Sequence, residues 1–73
     1  MTDTLALREI ITASGLKYKS IADSLGITPY ALQNKIENVT EFKSSEVKKM
    51  CELLGIKSLK RKEEIFFATK VDK

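Results

Sequence analysis

The stretch SIADSLGITPYALQNKIE, residues 20–37, decides how this chain folds. Apolar residues recur at helical spacing on both sides of Gly26, and only residues 26–28 separate the two apolar patterns. Glycine readily adopts the left-handed conformation that ends a helix. Thr28-Pro29 is the favoured order for a helix cap and first turn. The stretch therefore predicts two short helices joined by a tight turn that redirects the second helix sharply.

The side chains in this stretch suit such a crossing. Ala22 is small enough for the second helix to pass close above it, and Ile27 fills the gap between the two helices. Leu32 and Ile36 are spaced to anchor the second helix on the core. The remaining residues at the start and on the other face of that helix are expected to face outward: Thr28, Pro29, Tyr30, Gln33 and Asn34.

The chain contains three glycines, and each is followed by a branched apolar residue. We interpret each glycine as a helix stop, after which the apolar residue folds back onto the last turn. The predicted contacts are Leu16 on Ile11, Ile27 on Ala22, and Ile56 on Cys51.

These stops and the apolar spacing predict four to five short helices in an all-α bundle. The predicted helices run from about Leu5 to Ser14 (capped by Asp3 or Thr4), 18–25, 28–38, from a cap at Ser44 or Lys43 to Leu54, and 59–68 (capped by Ser58). Leu7, Ile10 and Ile11 are expected to face inward from the first, and Val47, Met50, Leu53 and Leu54 from the fourth. Val39 and Phe42 of the polar loop are expected to turn inward, and the tail 69–73 to fray.

Composition narrows the function classes. The chain has 73 residues, which predicts one domain, with one cysteine and no histidine. An internal disulfide and the usual Cys/His zinc site are therefore excluded, and Cys51 beside an apolar stripe is interpreted as a packing residue. Without histidine, and with acidic residues scattered among lysines, we expect neither an enzyme nor a cofactor.

Charge and hydropathy point to a location and a class of partner. The net charge is +3, and residues 38–73 carry all of it, because residues 1–37 have four basic and four acidic side chains. This modest basic excess permits nucleic-acid binding. No apolar run approaches a membrane span, and the N-terminus lacks a signal-peptide pattern. We therefore expect a soluble cytoplasmic protein without a membrane partner.

The sequence resembles a known family over nearly its whole length. The segments IADSLGITPYALQNKIENVTEF and EVKKMCELLGI are similar to the helix-turn-helix domains of the Cro and phage-repressor class. The flanking LREIITASGLKY and IFFATKVDK resemble the small regulators of Gram-positive phages. The resemblance implies a compact five-helix, lambda-repressor-like domain with a helix-turn-helix unit over about 18–37. It also implies dimerisation and a recognition helix over about 28–38 that binds operator DNA.

The resemblance assigns roles to individual residues. It places base contacts on Thr28, Pro29, Tyr30, Gln33 and Asn34, and phosphate contacts on Tyr18, Lys19, Lys35 and Lys43. Gln33 and Asn34 suit the paired hydrogen bonds by which amide side chains read adenine. The chain departs from the family pattern at Tyr18, where glutamine is usual, and at residues 37–39, where Asn-Gly is usual. The recognition helix also contains no arginine.

Several basic and aromatic residues can be explained by solvation or by packing as well as by a function. Residues 60–62, Lys-Arg-Lys, are interpreted as a solvated face. Tyr30 suits either DNA or a protein interface. Of Ile65, Phe66 and Phe67, one or two are expected to complete the core and the third to lie in a dimer seam.

Two functions from different classes follow. The first is a sequence-specific transcriptional regulator of a phage lysis–lysogeny switch in the bacterial host cytoplasm, binding a double-stranded DNA operator as a homodimer. The alternative is an antirepressor or modulator that contacts a cognate phage repressor and binds DNA weakly alone or only in that heterocomplex. The charge-neutral first half of the chain, with Pro29, Tyr30 and Ala31 on the recognition helix, motivates the alternative.

Overall fold

The structure, a computed structural model, describes residues 1–68, which form five α-helices and no strand. The helices are α1 (Thr4–Ser14), α2 (Tyr18–Leu25), α3 (Pro29–Ile36), α4 (Ser44–Leu54) and α5 (Leu59–Phe66). The all-α prediction is confirmed for this part of the chain, and the predicted frayed tail, 69–73, lies outside the described residues. None of the helices in residues 1–68 combines the length and the apolar character needed to cross a bilayer.

One hydrophobic core joins all five helices. Its buried members are Leu7 and Ile11 of α1, Ile21 and Ala22 of α2, Leu32 and Ile36 of α3, Val47, Met50 and Cys51 of α4, and Ile65 and Phe66 of α5. The inward positions predicted for α1 and α4 are confirmed, with Ile10, Leu53 and Leu54 packed at the core's edge. The Cα radius of gyration, 11.2 Å, is close to the ~11 Å expected of a folded domain of this length, so the packing is compact.

The turn between α2 and α3 follows the predicted pattern. Gly26 has φ +74°, and its N–H donates to the Asp23 carbonyl at 3.1 Å. The Ile27 N–H donates to the Ala22 carbonyl at 3.0 Å, and its side chain packs against the core. The Thr28 hydroxyl then accepts from the Ala31 N–H at 3.0 Å, which caps α3. Paired bonds at the end of α2 and a cap at the start of α3 fix the short connection.

The end of α3 is built around a left-handed asparagine. Asn38 has φ +66°, and its N–H donates to the Lys35 carbonyl at 3.3 Å. The Val39 N–H reaches back to the Asn34 carbonyl at 2.8 Å, which completes the hydrogen-bond pattern of a Schellman motif. This left-handed residue stops the helix at Ile36, two residues before its predicted end.

Residues 1–4 tie the ends of α3 and α5 together. The Asn38 side-chain carbonyl accepts from the Thr2 N–H at 2.7 Å, and its amide group donates to the Thr2 carbonyl at 2.9 Å. The Thr4 hydroxyl donates to the Ile36 carbonyl at 2.6 Å. The Asp3 N–H donates to the Ile65 carbonyl at 2.7 Å. The N-terminal segment therefore satisfies polar groups that the two short helices leave open at their C-terminal ends.

Two apolar residues lie outside the core against prediction. Leu16 was expected on Ile11 but is 36% exposed, because the Ser14 hydroxyl accepts from the Leu16 N–H at 3.1 Å and donates to the Ile11 carbonyl at 2.6 Å. The Ser14 hydroxyl thus takes the place of the backbone hydrogen bond that would fold Leu16 back onto the last turn of α1. Val39, which directly follows the left-handed Asn38, is 68% exposed.

Phe42 takes the inward place in the loop after α3. It packs against the core, as predicted, and meets the Phe66 ring edge-on with the ring centroids 5.4 Å apart. The loop therefore contributes one aromatic side chain to the core, where two apolar side chains were expected.

Substitution at Asn38 measures how much its two hydrogen bonds to Thr2 contribute to the free energy of unfolding. Asn38→Ala removes two hydrogen bonds and leaves a Cβ at positive φ, so we expect the free energy of unfolding to fall by about 2–3 kcal/mol. Asn38→Gly loses the same bonds without the conformational cost, and we expect a loss of about 1–2 kcal/mol. Urea unfolding followed by circular dichroism measures both values. A glycine variant as stable as the parent chain would show that the side-chain bonds to Thr2 contribute nothing.

Candidate functional site

The outward residues of α3 and its cap form a continuous surface, which we call the α3 surface: Thr28, Pro29, Tyr30, Gln33 and Asn34. The first three are exposed, and Tyr30 shows 78% of its area. Gln33 and Asn34 are half-buried, while Leu32 and Ile36 on the opposite side of the helix are fully buried. The structure thus brings together the five residues predicted to contact bases. The two amide residues among them are less exposed than the other three.

Asn34 presents an unengaged amide on this surface. Its backbone carbonyl accepts from Val39, but its side chain has no hydrogen-bond partner among residues 1–68. No fully buried side-chain nitrogen or oxygen in the described chain lacks a partner, so both polar atoms of the Asn34 amide keep some contact with solvent. Such an amide can pair with a donor and an acceptor at the same time.

Gln33 differs from Asn34 because a residue of α1 already occupies its carbonyl. Arg8 Nη2 donates to Gln33 Oε1 at 3.0 Å and to Glu37 Oε2 at 2.8 Å. Arg8 Nη1 donates to the Tyr18 hydroxyl at 3.3 Å, and its guanidinium carbon lies 5.9 Å from the centre of the Tyr18 ring. Side chains from three helices therefore meet at the guanidinium group of Arg8, whose side chain as a whole is 31% exposed.

Arg8 was not among the predicted site residues. It directly follows Leu7 on α1 and flanks the buried stripe of that helix, which is the only signal that the sequence offers for it. Its partners Gln33 and Glu37 lie 25 and 29 residues away along the chain. Its place beside α3 supplies a guanidinium group next to a helix that contains no arginine.

Lys35 occupies a structural position, which does not fit the phosphate contact that was expected of it. Its side chain is 11% exposed, and Nζ pairs with Glu46 Oε1 at 3.1 Å while donating to the Glu41 carbonyl at 3.0 Å. The ammonium group bridges α3 to the start of α4, because Glu46 Oε1 also accepts from the Lys43 N–H at 2.8 Å. A lysine held in this way does not project to a ligand surface.

The other predicted phosphate contacts lie nearer solvent. Lys19 is exposed and sits 3.5 Å from Asp23, one turn along α2. The Lys43 side chain is exposed and forms no ion pair with the described residues. Tyr18 is half-buried at the start of α2, where its hydroxyl accepts from Arg8. Of the two exposed lysines, Lys43 is thus the one without an ion pair in residues 1–68, although its charge helps to lower the pKa of the nearby Glu46 carboxyl.

The predicted protein interface is reduced to two residues. Ile65 and Phe66 are 1% and 4% exposed, so these two complete the core and are not available to a partner. Phe67 is 53% exposed and lines a cleft together with Met1, Asn38 and Phe42. Tyr30 and Phe67 remain as exposed aromatic side chains.

Two side chains have shifted acidity. Burial raises the pKa of Glu46, but the hydrogen bonds from the Lys43 N–H and Lys35 outweigh that effect and hold the pKa below its ordinary value of 4.5. Burial raises the pKa of the Cys51 thiol, and Lys62 opposes this only in part. Cys51 is therefore a neutral, buried thiol at pH 7, as its interpretation as a packing residue requires.

No family model matches the chain, and neither a curated protein nor a solved structure matches it. The case for a function therefore rests on the residues and contacts described above.

Replacing Lys35 separates a structural role from a ligand-binding one. Lys35→Met leaves the buried Glu46 carboxylate without its cation, and we expect the free energy of unfolding to fall by about 1–3 kcal/mol. Lys43→Met removes an exposed charge and is expected to change stability by no more than about 0.5 kcal/mol. Urea titrations of both variants at pH 7 make the comparison. Equal stabilities would contradict the structural assignment of Lys35.

The Glu46 carboxylate also predicts a dependence of stability on pH. Folding lowers its pKa, so its contribution is complete above the pKa of the unfolded chain and disappears as pH falls through the folded-state value, below 4.5. We expect the parent chain to be more stable than Glu46→Gln near pH 7, with the difference shrinking as pH falls. Urea unfolding of both proteins between about pH 7 and pH 3 tests this. A difference independent of pH would show that ionisation of Glu46 does not matter.

Proposed function

We propose that this chain is a helix-turn-helix domain of the lambda-repressor-like kind, which binds operator DNA with α3 in the major groove. The observation that carries the proposal is the outward placement of the α3 surface on a helix whose opposite side is fully buried. A helix held this rigidly, close to the α2 turn, suits insertion into a groove about 12 Å wide. Specific readout requires side chains whose positions are fixed before DNA arrives, and the packing of α3 supports this.

The residues take different roles in this proposal. The open amide of Asn34 pairs with an adenine edge, and Tyr30 and Thr28 lie against neighbouring bases or the backbone. Lys43, Lys19 and Tyr18 contact phosphates on the flanks of α3. Lys35 is left out because Glu46 and Glu41 engage it.

A regulator of a phage-type genetic switch is the biological role that the resemblance implies. Two copies of the domain would present their α3 helices to successive major grooves, about 34 Å apart on one face of the duplex. Neither metal nor cofactor enters this mechanism, which takes place in the cytoplasm of a bacterial host.

The charges around α3 favour a second candidate, in which the chain modulates a cognate repressor by protein contact. Arg8 is paired with Glu37, Lys35 with Glu46 and Lys19 with Asp23. Phosphate attraction supplies much of the affinity of DNA-binding proteins, and paired cations contribute less of it. Exposed Tyr30 and Val39 at the two ends of α3 offer contacts of the kind that protein interfaces use.

A binding experiment separates the two candidates. Fluorescence anisotropy with DNA from the chain's own promoter region is measured at several salt concentrations, with and without the repressor encoded beside it. Tight binding alone with a steep salt dependence favours the DNA-binding regulator. A stable heterocomplex, with no selective DNA binding by the chain alone, favours the modulator. Absence of both would contradict the proposal.

Two substitutions test the roles of individual residues. We expect Asn34→Ala to lose about 1–3 kcal/mol of discrimination at a single operator position. We expect Lys43→Ala to weaken binding to all sequences alike and to reduce the salt slope by roughly 0.9. Titrations against operators altered one base pair at a time distinguish these results. Uniform effects from both variants would show that Asn34 does not read a base.

A further inference from the structure

Building on the proposed DNA-binding function, we propose that Arg8 sets the base specificity of the domain through Gln33. By holding the Gln33 carbonyl, Arg8 leaves the amide N–H group as the outward reading group, so Gln33 selects guanine over adenine. Arg8 is then a positioning residue located on α1, outside the helix that enters the groove.

The chemistry of the two side chains fixes the orientation of the amide. Guanidinium is a donor only, so the Gln33 atom facing it at 3.0 Å must be the carbonyl oxygen. Reversing the amide would place two donor groups against each other and lose the bond. Arg8 thus decides which end of Gln33 points away from α1.

Arg8 can impose this orientation because it is itself held in place. Glu37 Oε2 accepts from the same guanidinium nitrogen at 2.8 Å, and the Tyr18 hydroxyl accepts from the other at 3.3 Å. The side chain is 31% exposed, so solvent reaches only part of it. Partners on α2 and at the end of α3 fix the guanidinium from two sides.

The Gln33 amide nitrogen is the free end of the side chain. It has no hydrogen-bond partner in residues 1–68, and no buried polar side-chain atom in that range is left unpartnered. The nitrogen therefore keeps some contact with solvent, with two donor hydrogens and no acceptor. Gln33 is half-buried on the α3 surface, whereas Tyr30 is exposed.

A group with only donor hydrogens distinguishes the purines. Guanine presents two acceptors in the major groove, N7 and O6, whereas adenine presents one acceptor beside the N6 amino donor. Glutamine normally pairs with adenine by using its carbonyl for that amino group. In this chain the carbonyl faces Arg8, so the adenine pairing loses its acceptor and guanine is preferred. The proposal thus differs from the expectation, based on the sequence, that Gln33 reads adenine.

The test selects operators from a library of randomised DNA, using the parent chain and two matched variants. Arg8→Met removes the donor that holds Gln33, and Arg61→Met makes the same change on α5, where the arginine lies 3.8 Å from Glu64. We expect the parent and Arg61→Met to prefer guanine at one operator position. We expect the guanine-to-adenine ratio there to fall roughly tenfold in Arg8→Met. Circular dichroism confirms that both variants are folded.

Gln33→Glu provides a second test that keeps the Arg8 contact. One carboxylate oxygen pairs with Arg8 and the other points outward as an acceptor, so we expect the preferred base to change from guanine to cytosine. In the free proteins, the Gln33 side-chain amide resonance is expected to shift in Arg8→Met but not in Arg61→Met. That signal reports the contact without DNA.

The outcomes are distinct. A guanine preference that depends on Arg8 supports the inference, as does a change to cytosine in Gln33→Glu. An adenine preference in the parent chain, or the same preference in Arg8→Met and Arg61→Met, overturns it and leaves the DNA-binding proposal standing. If the parent chain selects no sequence, either alone or with the neighbouring repressor, the proposed function fails and the inference fails with it.

Discussion

Burial of Leu32 and Ile36 holds in place a helix that is too short to be stable on its own. Both side chains are fully buried, and burying an aliphatic side chain of this size stabilises by about 1.5–3 kcal/mol. An isolated helix of eight residues does not persist in water, so α3 exists because these two residues pack against the core. The ends are fixed separately, by the Thr28 cap at its start and by Asn38 with Thr2 at its finish. Every feature of the α3 surface depends on this fixed position.

The same requirement explains where the cations near α3 are used. Lys35 joins the helix to α4, and Arg8 joins it to α1 and α2. These charges hold α3 in place, so fewer of them are available to attract phosphate. The sequence excess of +3 lies entirely in residues 38–73, outside α3. In the proposed DNA-binding function, the attraction of phosphate therefore comes from residues that flank α3.

Local patterns in the sequence predicted the helices well, for physical reasons that are visible in the structure. Apolar spacing, together with Gly26 and Thr28, placed α2 at its observed limits and α3 at its observed start, because caps and left-handed turns are formed by neighbouring residues. The errors at Leu16 and Val39 are also local. The Ser14 hydroxyl replaced a backbone bond in the first case, and the second residue directly follows the left-handed Asn38.

The contacts that define the site were largely beyond the sequence. Thr2 and Asn38 are 36 residues apart, and Arg8 and Gln33 are 25 apart. Nothing in the local pattern pairs them, because their meeting depends on how the helices assemble around the shared core. Glu46 is the exception: a glutamate three residues after a helix cap is a known capping signal, and it could have been used to predict the bond to the Lys43 N–H. The ion pair between Glu46 and Lys35 could be recognised only from the folded structure.

The two ion pairs that hold α3 differ in how far water reaches them. The Lys35 and Glu46 side chains are 11% and 8% exposed, so solvent and salt screen their attraction little. Glu37 is 59% exposed, and an ion pair so open to water contributes at most about 1 kcal/mol. The pair with Glu37 therefore holds Arg8 less firmly than Glu46 holds Lys35. Arg8 also depends on its hydrogen bonds to the Tyr18 hydroxyl and the Gln33 carbonyl. One buried ion pair and one partly solvated network thus support α3 from two different sides.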